Sequence, residues 1–200
     1  MFYRLIIKKY IDIFVSFVAI ILFSPLLIII GFLNLYFNGR PILYKQQRPG
    51  YKTKIFTLFK FRTMDVETKE FKDEQKRLNS FGRFLRKTSL DELPSLFNIL
   101  KGELSFVGPR PLLKKYLEHY SLYQVRRHEV YPGLSGLAQI KGRNLVDWEQ
   151  RFDYDIKYVK NQSIILDLKI IILTFLIILK GEGISPKDNE IMPEFKPKSK

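Results

Sequence analysis

The chain has 200 residues, 46% of them hydrophobic, and a formal net charge of +14, which allows one modest domain together with a membrane segment. It has no cysteine and only two histidines, so disulfides and thiolate metal sites are excluded and a zinc site is not expected. Residues 40–62 hold seven lysines and arginines and no acid. Such a run suits nucleic acid, anionic lipid or a phosphorylated substrate. Its place directly after an apolar segment favours the membrane surface over nucleic acid.

The first predicted element is a long apolar helix, because residues 13–39 carry no charged side chain. A helix of this length reaches roughly 40 Å, more than the ~30 Å hydrocarbon core of a bilayer, which by itself favours a transmembrane span. Near its middle, Pro25 removes the hydrogen bond to the Ile21 carbonyl, and the Ser24 hydroxyl can replace it. Both flanks are basic, which predicts that both ends stay in the cytoplasm. A kinked spanning helix and a helix that enters one leaflet and returns both fit these features.

A β-hairpin is predicted next, with strands at 42–45 and 54–62 joined through Pro49 and Gly50. Lys60 and Arg62 alternate with apolar residues and therefore share one face of the second strand. There they can present two cations to a phosphate or to lipid headgroups. Solvated cations on an edge strand are the structural alternative.

Two adjacent carboxylates, Asp91 and Glu92, lie at the predicted start of a helix. Ser89 and Glu92 fit a capping box, and Pro94 suits a first turn. Acidic residues at this position are held ionised by unpaired backbone N–H groups, which can also receive an anion. In many helices such residues only complement the helix dipole. The expected buried face of the helix consists of Leu93, Leu96, Phe97 and Leu100.

Cationic residues surround this acidic pair. Arg86 and its basic neighbours precede it, and Arg110 follows it between two prolines that restrict the backbone. Arginine matches phosphate oxygens with two parallel hydrogen bonds. A carboxylate nucleophile or base among arginines is a phosphoryl-transfer pattern, and a surface salt-bridge cluster fits the same residues equally well.

The remaining segments are assigned by pattern. Residues 65–77 read as a polar loop or exposed helix, residues 112–127 as one helix, and residues 132–143 as a glycine-punctuated loop. In that loop Gln139 and Arg143 can contact a nucleotide or phosphate, and a purely structural loop is the alternative. Residues 148–159 predict an amphipathic core helix and 164–179 a core or interfacial helix, because its uncharged part is too short to span a bilayer. Residues 185–200 predict a flexible tail.

Three motifs carry a resemblance to a known family: SLDELP at 89–94, KGELSFVGPRP at 101–111 and PGLSGLAQIKGR at 132–143. Together they resemble the bacterial sugar transferase family, and more narrowly its small monotopic phosphoglycosyl transferases, over about residues 3–185. The chain departs from the family pattern at Tyr131, where arginine is usual, and at Lys141, where a small polar residue is frequent. The first departure puts one expected cationic contact near the substrate in doubt.

The resemblance implies an α-dominated α+β fold on a membrane. Residues 1–39 would form a re-entrant membrane helix broken at Ser24-Pro25. Residues 40–184 would form a compact catalytic domain with interfacial helices and a small β-hairpin, followed by the tail. This domain is expected on the cytoplasmic face of the bacterial inner membrane.

The resemblance also implies a reaction: transfer of a sugar 1-phosphate from a UDP-sugar to polyprenol (undecaprenyl) phosphate, with release of UMP. Asp91 would attack the sugar-bearing phosphate and form a covalent intermediate, Glu92 would orient groups or take a proton, and Mg²⁺ would bridge Asp91 and the diphosphate. This is the first membrane step of a glycoconjugate pathway, ahead of further glycosyltransferases. The expected phosphate ligands are Arg86, Arg110, Lys60 and Arg62, and the expected nucleotide or substrate contacts are Arg127, Gln139 and Arg143.

Two other classes of function stay open on the residues alone. A membrane-bound UDP-sugar phosphodiesterase would release sugar phosphate without a lipid acceptor. A non-catalytic membrane adaptor would bind anionic lipid through residues 40–62. The sequence specifies neither the sugar nor the chain length of the acceptor.

Overall fold

The computed structural model describes residues 6–64, 77–142, 146–180 and 194–195. The loop predicted at 65–77, apart from Arg77, and most of the predicted tail lie outside these residues. The described part is mainly helical with two small sheets. Its helices are α1 (Lys8–Asn38), α2 (Ser80–Thr88), α3 (Leu96–Leu100), α4 (Leu122–Val125), α5 (Leu137–Ile140), α6 (Trp148–Asn161) and α7 (Ile164–Lys180), and its strands are β1 (Leu43–Pro49), β2 (Ile55–Phe61), β3 (Ser105–Val107) and β4 (Gly133–Ser135).

Helix α1 is continuous over 31 residues and contains Pro25. The Ser24 hydroxyl donates a hydrogen bond to the Ile21 carbonyl over 2.8 Å, which confirms the predicted replacement of the bond that Pro25 removes. Helix α1 therefore continues through Ser24-Pro25, where the family resemblance implied a break. The physical reason is that proline costs the helix only one backbone bond here, and a side chain restores it.

Helix α1 is bound to the rest of the chain at both ends. At its start, Lys8 forms an ion pair of 2.9 Å with Asp167 of α7, and Asp12 accepts a 2.6 Å hydrogen bond from Ser105 of β3. At its end, Asn34 and Asn38 donate to the Arg62 carbonyl over 2.8 and 3.0 Å. Between the two ends, Ala19 and Ile20 pack against a cluster formed by β2 and α3.

The rest of the α1 surface is apolar and exposed. Of the helices that the structure describes, α1 is the one long and apolar enough to cross a membrane. Helix α7 also exposes large apolar side chains on one side. The exposed residues include Tyr10, Phe14, Phe17, Ile21, Leu22, Ile28, Phe32 and Tyr36 on α1, and Ile165, Leu168, Ile172, Phe175 and Leu179 on α7.

Strands β1 and β2 pair antiparallel, with Tyr44 opposite Lys60 and Pro49 opposite Ile55. The predicted hairpin is confirmed, with a longer first strand than the sequence indicated. A short 3₁₀ turn, Tyr51–Thr53, joins the strands.

The chain after α2 packs against the second edge of β2. A 3₁₀ helix, Leu90–Ser95, leads directly into α3. Ser95 donates to the Phe59 carbonyl over 2.7 Å. Asn98 accepts from the Phe59 N–H over 3.0 Å and donates to the Thr57 carbonyl over 2.7 Å. Because buried backbone groups must be paired, these two side chains complete the edge of the strand.

This packing changes the predicted buried face of the helix. Leu96 is buried and Leu93 packs against the same cluster, as predicted. Phe97, however, is 42% exposed, while Asn98 and Ile99 are fully buried. The change from a 3₁₀ to an α-helical segment turns the side chains away from the regular spacing on which the prediction rested.

Strands β3 and β4 form a parallel pair, and β4 lies within the segment 132–143 that was predicted as a loop. Their close approach depends on glycine: a Cβ at Gly133 would lie 2.0 Å from the backbone nitrogen of Gly108. This pair holds Arg110, three residues after β3, close to Gly133 and Leu134 of β4.

The single helix predicted at 112–127 is wrong. A 3₁₀ helix, Lys114–His119, ends before α4, and a second one, Arg126–Glu129, follows α4. Ser121 interrupts the helix because it forms a capping box with Gln124 and begins a new one.

Helices α6 and α7 occur where they were predicted. Phe152 and Tyr158 of α6 are buried core residues. Phe195, which lies in the predicted tail, is 8% exposed and packs in one cluster with Phe152.

Candidate active site

The two carboxylates occupy the turn between α2 and α3, within the 3₁₀ helix Leu90–Ser95. The predicted capping box is wrong: Ser89 has a left-handed backbone (φ 57°) and its side chain makes no capping bond. The Glu92 side chain is therefore free to turn towards β2 and the loop after β3.

The Glu92 carboxylate binds two cations. It forms an ion pair with Lys60 of β2, and it accepts a 2.8 Å hydrogen bond from Arg110. Burial alone would raise the pKa of the Glu92 carboxyl, but Arg110 and Lys60 overcome this effect and lower the pKa to about 2. Glu92 is thus ionised at neutral pH, and it holds both cations in place.

Asp91 has a different environment. It is 9% exposed, and no residue of the described ranges forms a hydrogen bond or ion pair with its carboxylate. Burial, followed by the charge of Glu92, raises the pKa of Asp91 to about 6, while Lys60, Arg110 and Arg86 act in the opposite direction. At neutral pH this carboxylate is mostly ionised and more basic than an ordinary aspartate. It is uncommitted in the sense that no described residue binds it through a hydrogen bond or ion pair. These are the properties of a nucleophile or general base.

A small, partly open cleft lies beside Glu92. Its charged lining residues are Arg48, Lys60, Glu92 and Arg110, and Leu58, Leu104 and Leu134 supply apolar walls. Asp91 is not among the lining residues, so the cleft lies next to the uncommitted carboxylate rather than around it. The excess of cations suits an anionic ligand.

Two of the predicted phosphate ligands have other partners. The Arg86 Nε donates to the Thr63 hydroxyl over 2.9 Å. This contact keeps the guanidinium near enough to Asp91 to lower the pKa of that carboxyl. Arg62 is buried and donates to the Asn38 carbonyl at the end of α1. The structure therefore brings Lys60, Arg86 and Arg110 together around the carboxylates and directs Arg62 towards the end of α1.

Arg127 lies in a buried ion pair. Its guanidinium binds Asp155 of α6 through Nε and Nη2 over 3.0 and 2.7 Å. Nη2 also donates to the Arg110 carbonyl over 2.7 Å. Arg127 thus fixes the backbone of a residue that contacts Glu92, and it does so from a position only 1% exposed.

The two other predicted substrate contacts lie on the chain after β4. Gln139 donates to the Leu134 carbonyl over 3.0 Å, and its Oε1 is buried without a partner in the described residues. Arg143 lies outside those residues.

Tyr131, the departure from the family pattern, is packed between two elements. Its ring stacks on Tyr51 of the hairpin turn at 4.8 Å, and the Lys9 ammonium group lies over it at 5.2 Å. Tyr131 therefore joins the hairpin to the start of α1, and it does not line the cleft. Lys141 is exposed.

Sequence reasoning missed several residues that build the site. Ser95 and Asn98 bind the segment that carries Asp91 and Glu92 to β2, and nothing in their sequence spacing indicates this role. Asp155 falls among the apolar positions of an amphipathic helix, and a charge on such a face signals a buried partner. Arg48 was one of seven cations in the basic run, and only the fold distinguishes it from its neighbours.

The oxygen donors available at the site decide how it can hold Mg²⁺. No group of three or more metal-ligating side chains occurs in the part of the chain that the structure describes. Glu92 is engaged by two cations, which leaves the Asp91 carboxylate as the available oxygen donor. This fits Mg²⁺ held partly by the phosphate oxygens of a substrate, because Mg²⁺ commonly binds through one or two carboxylates plus phosphates.

Comparison with known proteins defines the class. The bacterial sugar transferase family model matches residues 3–181, and the chain belongs to this family. It is 50% identical over 160 residues to the uncharacterised sugar transferase EpsL of Bacillus subtilis, covering 78% of this chain and 79% of that protein.

Two further relatives have more specific names. Identity is 42% over 184 residues with the UDP-glucose:undecaprenyl-phosphate glucose-1-phosphate transferase of Klebsiella pneumoniae (86% of this chain). It is 36% over 200 residues with the undecaprenyl-phosphate galactose phosphotransferase of Salmonella typhimurium (88% of this chain). The chain spans only 40% and 41% of the length of these two relatives.

Proposed function

We propose that this protein transfers a sugar 1-phosphate from a UDP-sugar to undecaprenyl phosphate or a similar polyprenol phosphate, releasing UMP. The observation that carries the proposal is the contrast between two adjacent carboxylates. Glu92 is ionised and held by Lys60 and Arg110, while Asp91 is buried, uncommitted and unusually basic. The names of the relatives support the same donor and acceptor classes.

The reaction follows from two displacements at one phosphorus atom. In the first, an Asp91 carboxylate oxygen bonds to the phosphorus that carries the sugar, and the bond to the bridging oxygen breaks. UMP leaves with that electron pair. In the second, an oxygen of the lipid phosphate attacks the same phosphorus and Asp91 departs as a carboxylate. The bond between sugar and phosphate remains intact throughout.

The neighbouring residues serve these steps through charge. Both substrates are anions, and Lys60, Arg86 and Arg110 reduce the repulsion between a phosphate and the Asp91 carboxylate. Glu92 holds Lys60 and Arg110 in fixed positions and raises the basicity of Asp91. Mg²⁺ would be held by Asp91 together with substrate phosphate oxygens, and when bound it supplies Lewis-acid charge stabilisation.

The membrane part of the proposal concerns helix α1. Its two ends bind the same domain through Lys8 and Asp12 at one end and Asn34 and Asn38 at the other. A helix that crossed the bilayer straight would carry one of these ends away from the domain. We therefore assign a re-entrant or surface-embedded helix, with the domain on the cytoplasmic face and the exposed apolar side of α7 against the same leaflet.

Because the sequence contains no cysteine, the topology is directly testable. Single-cysteine variants at positions 2 and 199 are labelled with an impermeant maleimide in sealed inside-out and right-side-out vesicles. We expect both positions to react from the cytoplasmic side. Labelling of position 2 only from the opposite side would refute the re-entrant assignment and leave the chemistry untouched.

The chemistry is tested by incubating the purified protein with radiolabelled UDP-sugar, with and without polyprenol phosphate. We expect UMP release, lipid-linked product and label bound to the protein, with the bound label absent in Asp91→Asn. A phosphodiesterase would give free sugar phosphate without the lipid. An adaptor would release no UMP in any of the reactions. Normal turnover by a folded Asp91→Asn variant would refute the covalent mechanism.

A further inference from the structure

Arg48 is the cation of the cleft that the mechanism above does not use. It lines the cleft with Lys60, Glu92 and Arg110, so the charged lining holds three cations and one acid. Glu92 neutralises Lys60 and Arg110 directly. No acid within the described ranges forms an ion pair with Arg48, which leaves its charge available to a ligand.

The hydrogen bonding of Arg48 is incomplete. A guanidinium has five N–H donors in a planar fork. Arg48 Nη2 donates to the Gln46 side chain, whereas its Nε is buried and has no partner among the residues that the structure describes. Burial and the neighbouring Arg110 lower the pKa of Arg48 to about 10, so the guanidinium stays charged at neutral pH at an energetic cost. An anion placed between Arg48 and Arg110 would remove this repulsion.

The position of the cleft suggests which anion this is. Asp91 and Arg86 lie outside the cleft lining, and Arg48 and Arg110 lie within it. The phosphate that Asp91 attacks must be adjacent to Asp91. In an in-line displacement the leaving oxygen lies on the side of the phosphorus opposite the nucleophile. A phosphate in the cleft, joined to the reacting one, is then on the leaving-group side.

We propose that Arg48, together with Arg110, forms a subsite for the phosphate that does not become bonded to Asp91. The inference rests on the proposed two-step transfer. In the first step this phosphate belongs to the departing UMP, which gains negative charge as the bridging P–O bond breaks. In the second step the lipid phosphate enters from the same side, because it attacks along the line that UMP left. One subsite thus serves two substrates in turn.

The test compares Arg48→Gln with Lys45→Gln. Lys45 is an exposed cation on the same strand, so both substitutions remove one positive charge. Binding of UMP and of uridine is measured by calorimetry, and thermal unfolding checks that both variants fold. For Arg48→Gln we expect UMP affinity to fall roughly ten- to a hundred-fold, with uridine affinity unchanged. Arg48→Lys should recover only part of the loss, since lysine lacks the planar fork.

A second arm distinguishes the two phosphates. Protein carrying the labelled intermediate is isolated and chased with polyprenol phosphate in detergent micelles. Slower discharge in Arg48→Gln at low acceptor concentration assigns the lipid phosphate to the subsite, and weaker UMP binding assigns the nucleotide phosphate. Wild-type behaviour of folded Arg48→Gln in both arms would overturn the inference. If wild-type protein formed no labelled intermediate, the proposed function would fail, while the UMP arm would still test the subsite.

Discussion

The substitution Glu92→Gln tests the electrostatic design of the site most directly. It keeps the size of the side chain and removes one charge. In the wild type, Glu92 raises the pKa of Asp91 and also neutralises Lys60 and Arg110. Glutamine does neither, so both cations act on Asp91 without opposition. We therefore expect the pKa of Asp91 to fall from about 6 towards its ordinary value near 4.

The size of the effect follows from the ionised fraction of Asp91. With a pKa of about 6, about 90% of the carboxyl is ionised at pH 7 and about 10% at pH 5. The rate of the first step should thus drop roughly tenfold between these pH values. With a pKa near 4, about 90% would remain ionised at pH 5. The acid limb of the rate profile should move to lower pH by less than about 2 pH units, because the burial of Asp91 remains and only the charge of Glu92 is removed. The plateau should be lower because a less basic carboxylate is a weaker nucleophile.

The assay is the initial rate of UMP release from UDP-sugar at saturating donor, measured from pH 4.5 to pH 8. The exposed Glu118, changed to glutamine, is the charge-matched control, and its profile should coincide with that of the wild type. Thermal unfolding at each pH separates inactivation from loss of structure. An acid limb at the same pH in wild type and Glu92→Gln would refute the assigned coupling between the two carboxylates.

Three further predictions concern stability. Asp91→Asn should stabilise the fold by up to about 3 kcal/mol at pH 8, the equivalent of a pKa raised from 3.8 to about 6. The gain should vanish below about pH 3, where Asp91 is protonated in both the folded and the unfolded state. Arg127→Met should destabilise by about 3–5 kcal/mol in urea unfolding because it removes the ion-pair partner of the buried Asp155. The control Arg126→Met removes only a surface ion pair with Glu129 and should cost less than about 1 kcal/mol. Asn98→Ala should lower the unfolding free energy by about 1–3 kcal/mol and slow UMP release, with exposed Asn161→Ala as control. Equal urea midpoints within either matched pair would contradict the assigned contacts.

The elements with strong local patterns could be predicted from the sequence. Helices α1, α6 and α7 follow from apolar periodicity and length, and the hairpin follows from alternation around Pro49-Gly50. The Ser24 hydroxyl was correctly expected to replace the bond lost at Pro25. The region 112–127 failed because Ser121 and Gln124 were not read as a capping box within an apparently continuous helix.

The candidate site was only partly predictable. Asp91, Glu92, Arg86 and Arg110 are recognisable because acids and arginines recur within motifs. The difference in pKa and in contacts between Asp91 and Glu92 could not be predicted. Both acids lie in one helix turn, and they differ only in the residues that β2 and the loop after β3 place beside them. Arg62 illustrates the limit: its alternation with Lys60 is real, but the end of α1 lies where its guanidinium points.

The order of the residues establishes which side chains are available: two acids in one turn, a surplus of cations and an apolar helix with a serine beside its proline. These are local properties, fixed by neighbours within a few positions. The three-dimensional fold settles which acid is held by cations and which has no partner among the described residues. It also settles that Arg48 and Lys60, of the seven basic residues, line the cleft. The reason is that pKa and ligand access depend on burial and on charges a few ångströms away, and contacts such as Lys60 with Glu92 join residues far apart along the chain.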